Sequence, residues 1–150
     1  MTNASFETID HLLDQCAKKD LPMVCANPDY IVHLADGEIA HMPGKIAERY
    51  QGLGGGKVYS FGKPQIAHFQ ACLRDLGLDK SQVAHVGDSL HHDVAGANAC
   101  GIDSILVTGG VHSKDLGDYS IGDLPDKGDL QRLFEKEGNI PTHVVPMFRL

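Results

Sequence analysis

The stretch VAHVGDSLHHDVAGANACG, Val83 to Gly101, sets an apolar run ending at Gly87 against two aspartates five positions apart, Asp88 and Asp93. Gln82 to Asp88 reads as a buried strand, and His91 to Gly101 as a helix that the terminal glycine stops. Asp88 then stands at the carboxyl end of the strand and Asp93 in the first turn of the helix. Two carboxylates this close repel each other unless a cation lies between them. Mg2+ is the expected one, because it favours carboxylate oxygens and water.

Upstream, KVYSFGKPQIAHFQACLRDLGL (57–78) reads as a short strand, a Gly62-Lys63-Pro64 turn with Pro64 at the first helical position, and a helix. Ile66, Phe69, Cys72, Leu73 and Leu76 recur on one face of that helix. The arrangement holds the Lys63 ammonium near a helix N-terminus, where both attract an anion, and phosphate is the natural one. An ammonium and a divalent metal together neutralise a phosphoryl group undergoing transfer. Downstream, DSILVTGG (103–110) is another buried strand, Asp115 to Lys127 a polar loop, DLQRLFEKEG (129–138) a helix and THVVPMF (142–148) a terminal strand. Apolar strands alternating with helices imply a parallel sheet covered on both faces. That is a doubly wound α/β arrangement, whose ligands gather at the carboxyl ends of the strands.

The N-terminal third has a different rhythm. Phe6, Ile9, Leu12, Leu13 and Cys16 have helical spacing, with Ser5 or Thr8 as the cap. A short apolar run, LPMVCA (21–26), stops at Asn27-Pro28-Asp29. YIVHLADGEIAH (30–41) alternates about Asp36-Gly37 as a hairpin does, and PGKIAERYQGLGG (43–55) reads as a helix with Pro43 in its first turn and glycines at its end.

The bulk composition narrows the partners. A chain of 150 residues supports one core. Thirteen basic against twenty acidic residues, a formal charge of −7, argue against nucleic acid or an anionic membrane. Cys16, Cys25, Cys72 and Cys100 form no C-x-x-C pair and read as small buried hydrophobes of a reducing compartment. No apolar run approaches the roughly 20 residues that span a bilayer, and the first residues are too polar for a signal peptide; a cytoplasmic location is expected. His91 and His92 project about 100° apart on a helix, so they do not serve one zinc or nickel ion. His85 reads as a partnered core residue.

Asn27-Pro28-Asp29, Gly62-Lys63-Pro64 and Gly87-Asp88-Ser89 with Asp93, taken in this order, resemble the second half of a haloacid dehalogenase-like (HAD) phosphohydrolase of class IIA. LGGG (53–56) and the tail PTHVVPMFRL (141–150) are similar to the same branch. The resemblance implies that residues 1–56 are the C-terminal part of a cap and residues 57–150 the second half of the core. The fold is then a HAD-like doubly wound parallel sheet, Rossmann-like and incomplete, with the remnant of an α/β cap.

It further implies that Lys63 is the catalytic lysine steadying nucleophile and phosphate. Asp88 becomes a Mg2+ ligand and Asp93 the second acid of the metal site. Asn27 and Asp29 sit on the cap loop that selects substrate, and Gly96 and Ala97 serve packing. The implied reaction is Mg2+-dependent hydrolysis of a small phosphorylated metabolite. The family's nucleophile belongs to a strand ending in D-x-D, and no two aspartates here stand two positions apart. The chain alone, whether a fragment or a naturally shortened homologue, is therefore expected to be inactive. The alternative is a non-catalytic module that binds Mg2+ and anions or a partner. A parallel sheet without its first strand exposes an apolar edge, so self-association is expected.

Overall fold

The computed structural model describes residues 3–34, 38–120 and 122–148. The chain divides into two compact units, Met1–Gly62 and Lys63–Leu150.

The first unit runs α1 (Asn3–Lys18), β1 (Met23–Cys25), β2 (Ile31–His33), β3 (Ile39–His41), α2 (Pro43–Gly52) and β4 (Val58–Ser60). β2 and β3 pair antiparallel with Ile31 opposite His41, as the alternation requires; the Asp36-Gly37 turn of that hairpin lies outside the described residues. Pro43 occupies the first turn of α2, where its missing N–H leaves no intrahelical bond unmade. Helix α1 begins at Asn3, so Ser5 and Thr8 lie inside it rather than capping it. The apolar spacing marks where a helix is buried, and α1 extends beyond that stripe. β4, expected with the second domain, pairs in parallel with β1, Met23 opposite Val58. Tyr50 anchors this unit: only 1% exposed, its hydroxyl donates to the Leu21 carbonyl at 2.5 Å and accepts from the Gly56 amide at 3.2 Å.

The second unit runs α3 (Ile66–Leu76), β5 (Ala84–Gly87), α4 (Ala95–Cys100), β6 (Asp103–Val107), α5 (Lys127–Glu137) and β7 (His143–Val145). Its strands form one parallel sheet in the order β5-β6-β7. A wide turn, Leu90–Val94, leads into α4, with the Val94 amide reaching back to the Ser89 carbonyl. Gly101, at φ 76°, ends α4 in the left-handed conformation that a side chain resists. Helix α3 begins at Ile66 after Gln65, so Pro64 lies in the preceding turn and not at the first helical position. The Lys63-Pro64 bond in that turn is cis. Lys63 thus projects from a turn rather than from a helix N-terminus.

Alternation along β6 decides how the sheet is covered. Ser104, Leu106 and Thr108 are buried, whereas Ile105 and Val107 on the opposite face are half-exposed. Leu106 packs with Leu90, Val94, Leu116 and Leu133. Phe69 and Leu73 of α3 pack with Ala97, Cys100 and Ile102. The helices therefore bury one face of this sheet and leave the other partly open, where apolar strands suggested cover on both. β5 has one described neighbour, β6, with Ala84 exposed and His85 to Gly87 half-exposed, and is not the fully buried strand expected from its composition.

The buried stripe of α3 is narrower than its spacing suggested, with Ile66, Cys72 and Leu76 exposed. Gly96 and Ala97 do serve packing. A Cβ on Gly96 would lie 2.2 Å from the Phe69 ring, and Ala97 is fully buried. Among the described residues, no helix is long and apolar enough to cross a membrane.

The uneven cover gives a direct test. Leu106→Ala is expected to lower unfolding free energy by about 2–5 kcal/mol. Val107→Ala, one residue along on the other face, is expected to lower it by about 1 kcal/mol or less. Urea melts of both variants measure the contrast, and equal losses would mean that both faces are covered.

Candidate functional site

The carboxyl end of β5 brings the acidic pair into the turn between Gly87 and Val94. The wide turn after β5 swings Asp93 back over the strand, where its side chain is 4% exposed. Space for it comes from Gly87: a Cβ there would lie 2.2 Å from the Asp93 carboxyl carbon. Oδ1 of Asp93 accepts from the Lys63 ammonium at 2.6 Å and lies 2.9 Å from Nε2 of His85. Oδ2 accepts from the Ser89 amide at 3.0 Å. An ionised carboxylate only accepts, so Nε2 of His85 carries the proton in this contact.

Burial pushes the Asp93 carboxyl up. The contacts from His85, Lys63 and the Ser89 amide outweigh it and hold the group well below the usual carboxylate range. Asp93 is thus a fixed anion at neutral pH, and its field holds the Lys63 side chain, which is 39% exposed, in one place.

Asp88 faces elsewhere. Its Oδ2 accepts from the Val111 amide at 3.0 Å, and Gly110 leaves it room, since a Cβ there would lie 2.2 Å from that carboxylate. It lines a cavity of about 390 Å3 with Val86, Val107, Gly109, Gly110 and Met147. That lining does not include Lys63. The lysine meets one acid of the pair and the cavity opens on the other, joined by the Ser89 amide bonded to Asp93. His112 braces the loop beyond, its Nε2 accepting from the Leu90 amide at 3.2 Å.

Mg2+ takes about six oxygen ligands in near-octahedral geometry. Among the described residues, no group of three or more His, Cys, Asp or Glu side chains is arranged to hold a metal ion. Both oxygens of Asp93 are engaged by nitrogen donors, leaving Asp88 as the one acid of the pair turned toward a cavity. The acidic pair therefore offers Mg2+ one carboxylate, that of Asp88, with the remaining positions left to water or to other ligands. His91 and His92 stack edge to face, with ring centroids 5.1 Å apart.

Asn27 and Asp29 lie in the first unit. The Asn27 side-chain oxygen accepts from the Asp29 amide at 3.0 Å, closing a local turn, and the Asp29 carbonyl accepts from the Gly44 amide. Gly44 is needed for that approach, because a Cβ would meet the Pro28 carbonyl at 2.1 Å. The structure brings Lys63, Asp88 and Asp93 into one unit and leaves Asn27 and Asp29 in the other. Sequence reading gave His85 a partner without identifying it, and it missed Ser89. The available signal was the His85-x-Gly87 alternation, which puts an imidazole and a gap on one strand face.

The HAD-hydrolase-like family pattern matches residues 60–130. Chronophin from Mus musculus is 29% identical over 107 residues, 71% of this chain and 35% of its own. A haloacid dehalogenase-like hydrolase from Brucella suis 1330 superposes with a TM-score of 0.67 at 28% identity, over 95% of this chain and 50% of its own. The p-nitrophenyl phosphatase from Archaeoglobus fulgidus gives 0.64 at 28% identity, over 92% and 48%. The chain spans about a third of chronophin and about half of these solved structures.

The depressed Asp93 carboxyl sets a pH signature. A carboxyl lowered on folding contributes stability that is full above its unfolded value, near about 4, and is lost as pH falls below that. Asp93→Asn is expected to cost about 1–3 kcal/mol at pH 7, discounted from a fully buried pair because Lys63 is partly solvated. Its deficit should shrink as pH falls from about 5 to about 3. Unfolding free energies of wild type and variant across this range measure it, and a constant deficit contradicts the ionised pair.

Proposed function

Because the chain belongs to the class IIA branch of the haloacid dehalogenase-like hydrolases, we propose that it is the lysine- and acid-bearing part of a phosphatase acting on a small phosphorylated metabolite. The observation that carries the reading is the Lys63 ammonium held 2.6 Å from a buried Asp93, one hydrogen bond from the loop that bears Asp88. An ammonium fixed in this way neutralises phosphoryl charge without reorganising, which is where electrostatic catalysis gains most.

Lys63 neutralises the phosphoryl group and the nucleophile. Asp93 holds Lys63, and through the Ser89 amide it holds the start of the following turn. Asp88 is this chain's carboxylate ligand to Mg2+. Residues 1–56 are read as the end of a cap, with Asn27 and Asp29 on its substrate-selecting loop, and residues 57–150 as the second half of the core. Covalent catalysis needs a nucleophile, and these 150 residues hold no D-x-D pair to supply it. The same absence favours a second reading, a non-catalytic module that binds Mg2+ and anions.

The experiment assays p-nitrophenyl phosphate hydrolysis with Mg2+. The 150-residue chain alone is expected to give no turnover above buffer. Co-expression with the first half of a class IIA relative, containing a strand that ends in D-x-D, should produce turnover. Lys63→Ala or Asp88→Asn should each lower that turnover about 100-fold or more. No turnover from a folded complex of the two halves leaves the module reading. Turnover by the chain alone that Asp88→Asn abolishes overturns the need for an outside nucleophile.

Among the described residues β5 pairs on one side only, which supports a further property, self-association at high concentration. Sedimentation velocity over rising concentration measures it, and a monodisperse monomer throughout contradicts it.

A further inference from the structure

His85 stands on the same face of β5 as Gly87, and the Asp93 carboxylate lies against that face. Gly87 provides the space, as a Cβ there would overlap the carboxylate. Nε2 of His85 stands 2.9 Å from Oδ1, the oxygen that also accepts from Lys63. The imidazole is itself held: Phe69 meets it edge to face, with centroids 5.0 Å apart and planes at 79°. Phe69 is 4% exposed and is seated against the gap left by Gly96. A chain of contacts therefore runs from the packed core through Phe69 and His85 to the oxygen that holds the ammonium.

A carboxylate bonded by one backbone amide on one oxygen and one flexible ammonium on the other keeps some freedom to turn about its Cβ–Cγ bond. A second donor on Oδ1, fixed by a rigid ring, removes that freedom. The lysine side chain has four rotatable carbon links and a solvated head, so its place depends on the anion being fixed. An apolar residue at position 85 would fill space against Phe69 but would donate nothing to Asp93.

We infer that His85 is a positioning residue for Lys63, acting through Asp93 by locking the carboxylate that holds the ammonium. The inference rests on the proposed role of Lys63 for its functional meaning, and on the observed contacts for its geometry.

The test is brief acetic anhydride labelling of the full chain, read at each lysine by peptide mass spectrometry. Lys63 is compared with Lys80, whose ammonium donates to the Cys100 carbonyl at 2.5 Å and serves as an internal standard of fold integrity. His85→Leu is expected to raise Lys63 labelling about fivefold relative to Lys80, the equivalent of one lost hydrogen bond. His85→Gln, which restores an N–H donor at similar reach, should return it to within about twofold of wild type.

Unchanged Lys63 labelling in His85→Leu overturns the inference. So does a parallel rise at Lys63 and Lys80, which would make His85 a general packing residue, or a failure of the glutamine to rescue. Inorganic phosphate separates this inference from the function proposed above. If phosphate gives wild-type Lys63 no protection while the leucine and glutamine variants behave as expected, the phosphate-facing role of Lys63 fails and the positioning role of His85 stands.

Discussion

One buried anion organises the second unit. Asp93 can be ionised under the helices only because three donors reach it, from the Lys63 turn, the β5 strand and the Ser89 amide. Each comes from a different segment, so the carboxylate fixes the spacing among them. Removing the ammonium would leave this buried charge without its counter-ion, which is costlier than losing an exposed ion pair. The fold supplies the site for this anion by subtraction, through the absent side chain at Gly87.

The same device recurs at Asp88, which rests in the space left by Gly110. Two acids five residues apart are thus directed differently by two gaps in the backbone cover. Asp93 turns inward to an ammonium, and Asp88 turns toward a cavity lined by Val86, Val107 and Met147. Their separation of roles follows from this placement: one acid is satisfied by nitrogen donors, whereas the other accepts a single amide and faces open space. The Ser89 amide couples them, so a shift of Asp93 moves the start of the turn that carries Asp88.

Much of this was legible in the amino-acid order. The alternation of strands and helices after Lys57 is a local pattern, and it led to the parallel β5-β6-β7 sheet and to the placing of Lys63, Asp88 and Asp93 near strand ends. Three features were not legible, for distinct reasons. The partner of His85 lies eight residues away across a turn whose width depends on the hydrogen bond from Val94 to Ser89, which composition does not reveal. The pairing of β4 with β1 joins residues 35 positions apart in register, Met23 with Val58, and no local signal chooses between that partner and the strands that follow. The half-open face of the sheet escaped because Val and Ile mark a strand as suited to burial without stating what covers it.

Strand order within that sheet has a dynamic consequence. β6 is bonded on both sides, whereas β5 and β7 each have one described neighbour. Backbone amides in β6 exchange with solvent only when a flanking strand separates or the unit unfolds, so they report the largest opening free energies in the sheet. Those of β5 sample smaller, local openings. The strand that carries His85 and leads into Asp88 therefore lies at the frayed margin of the most protected element, and the side chains of the site are anchored where backbone breathing begins.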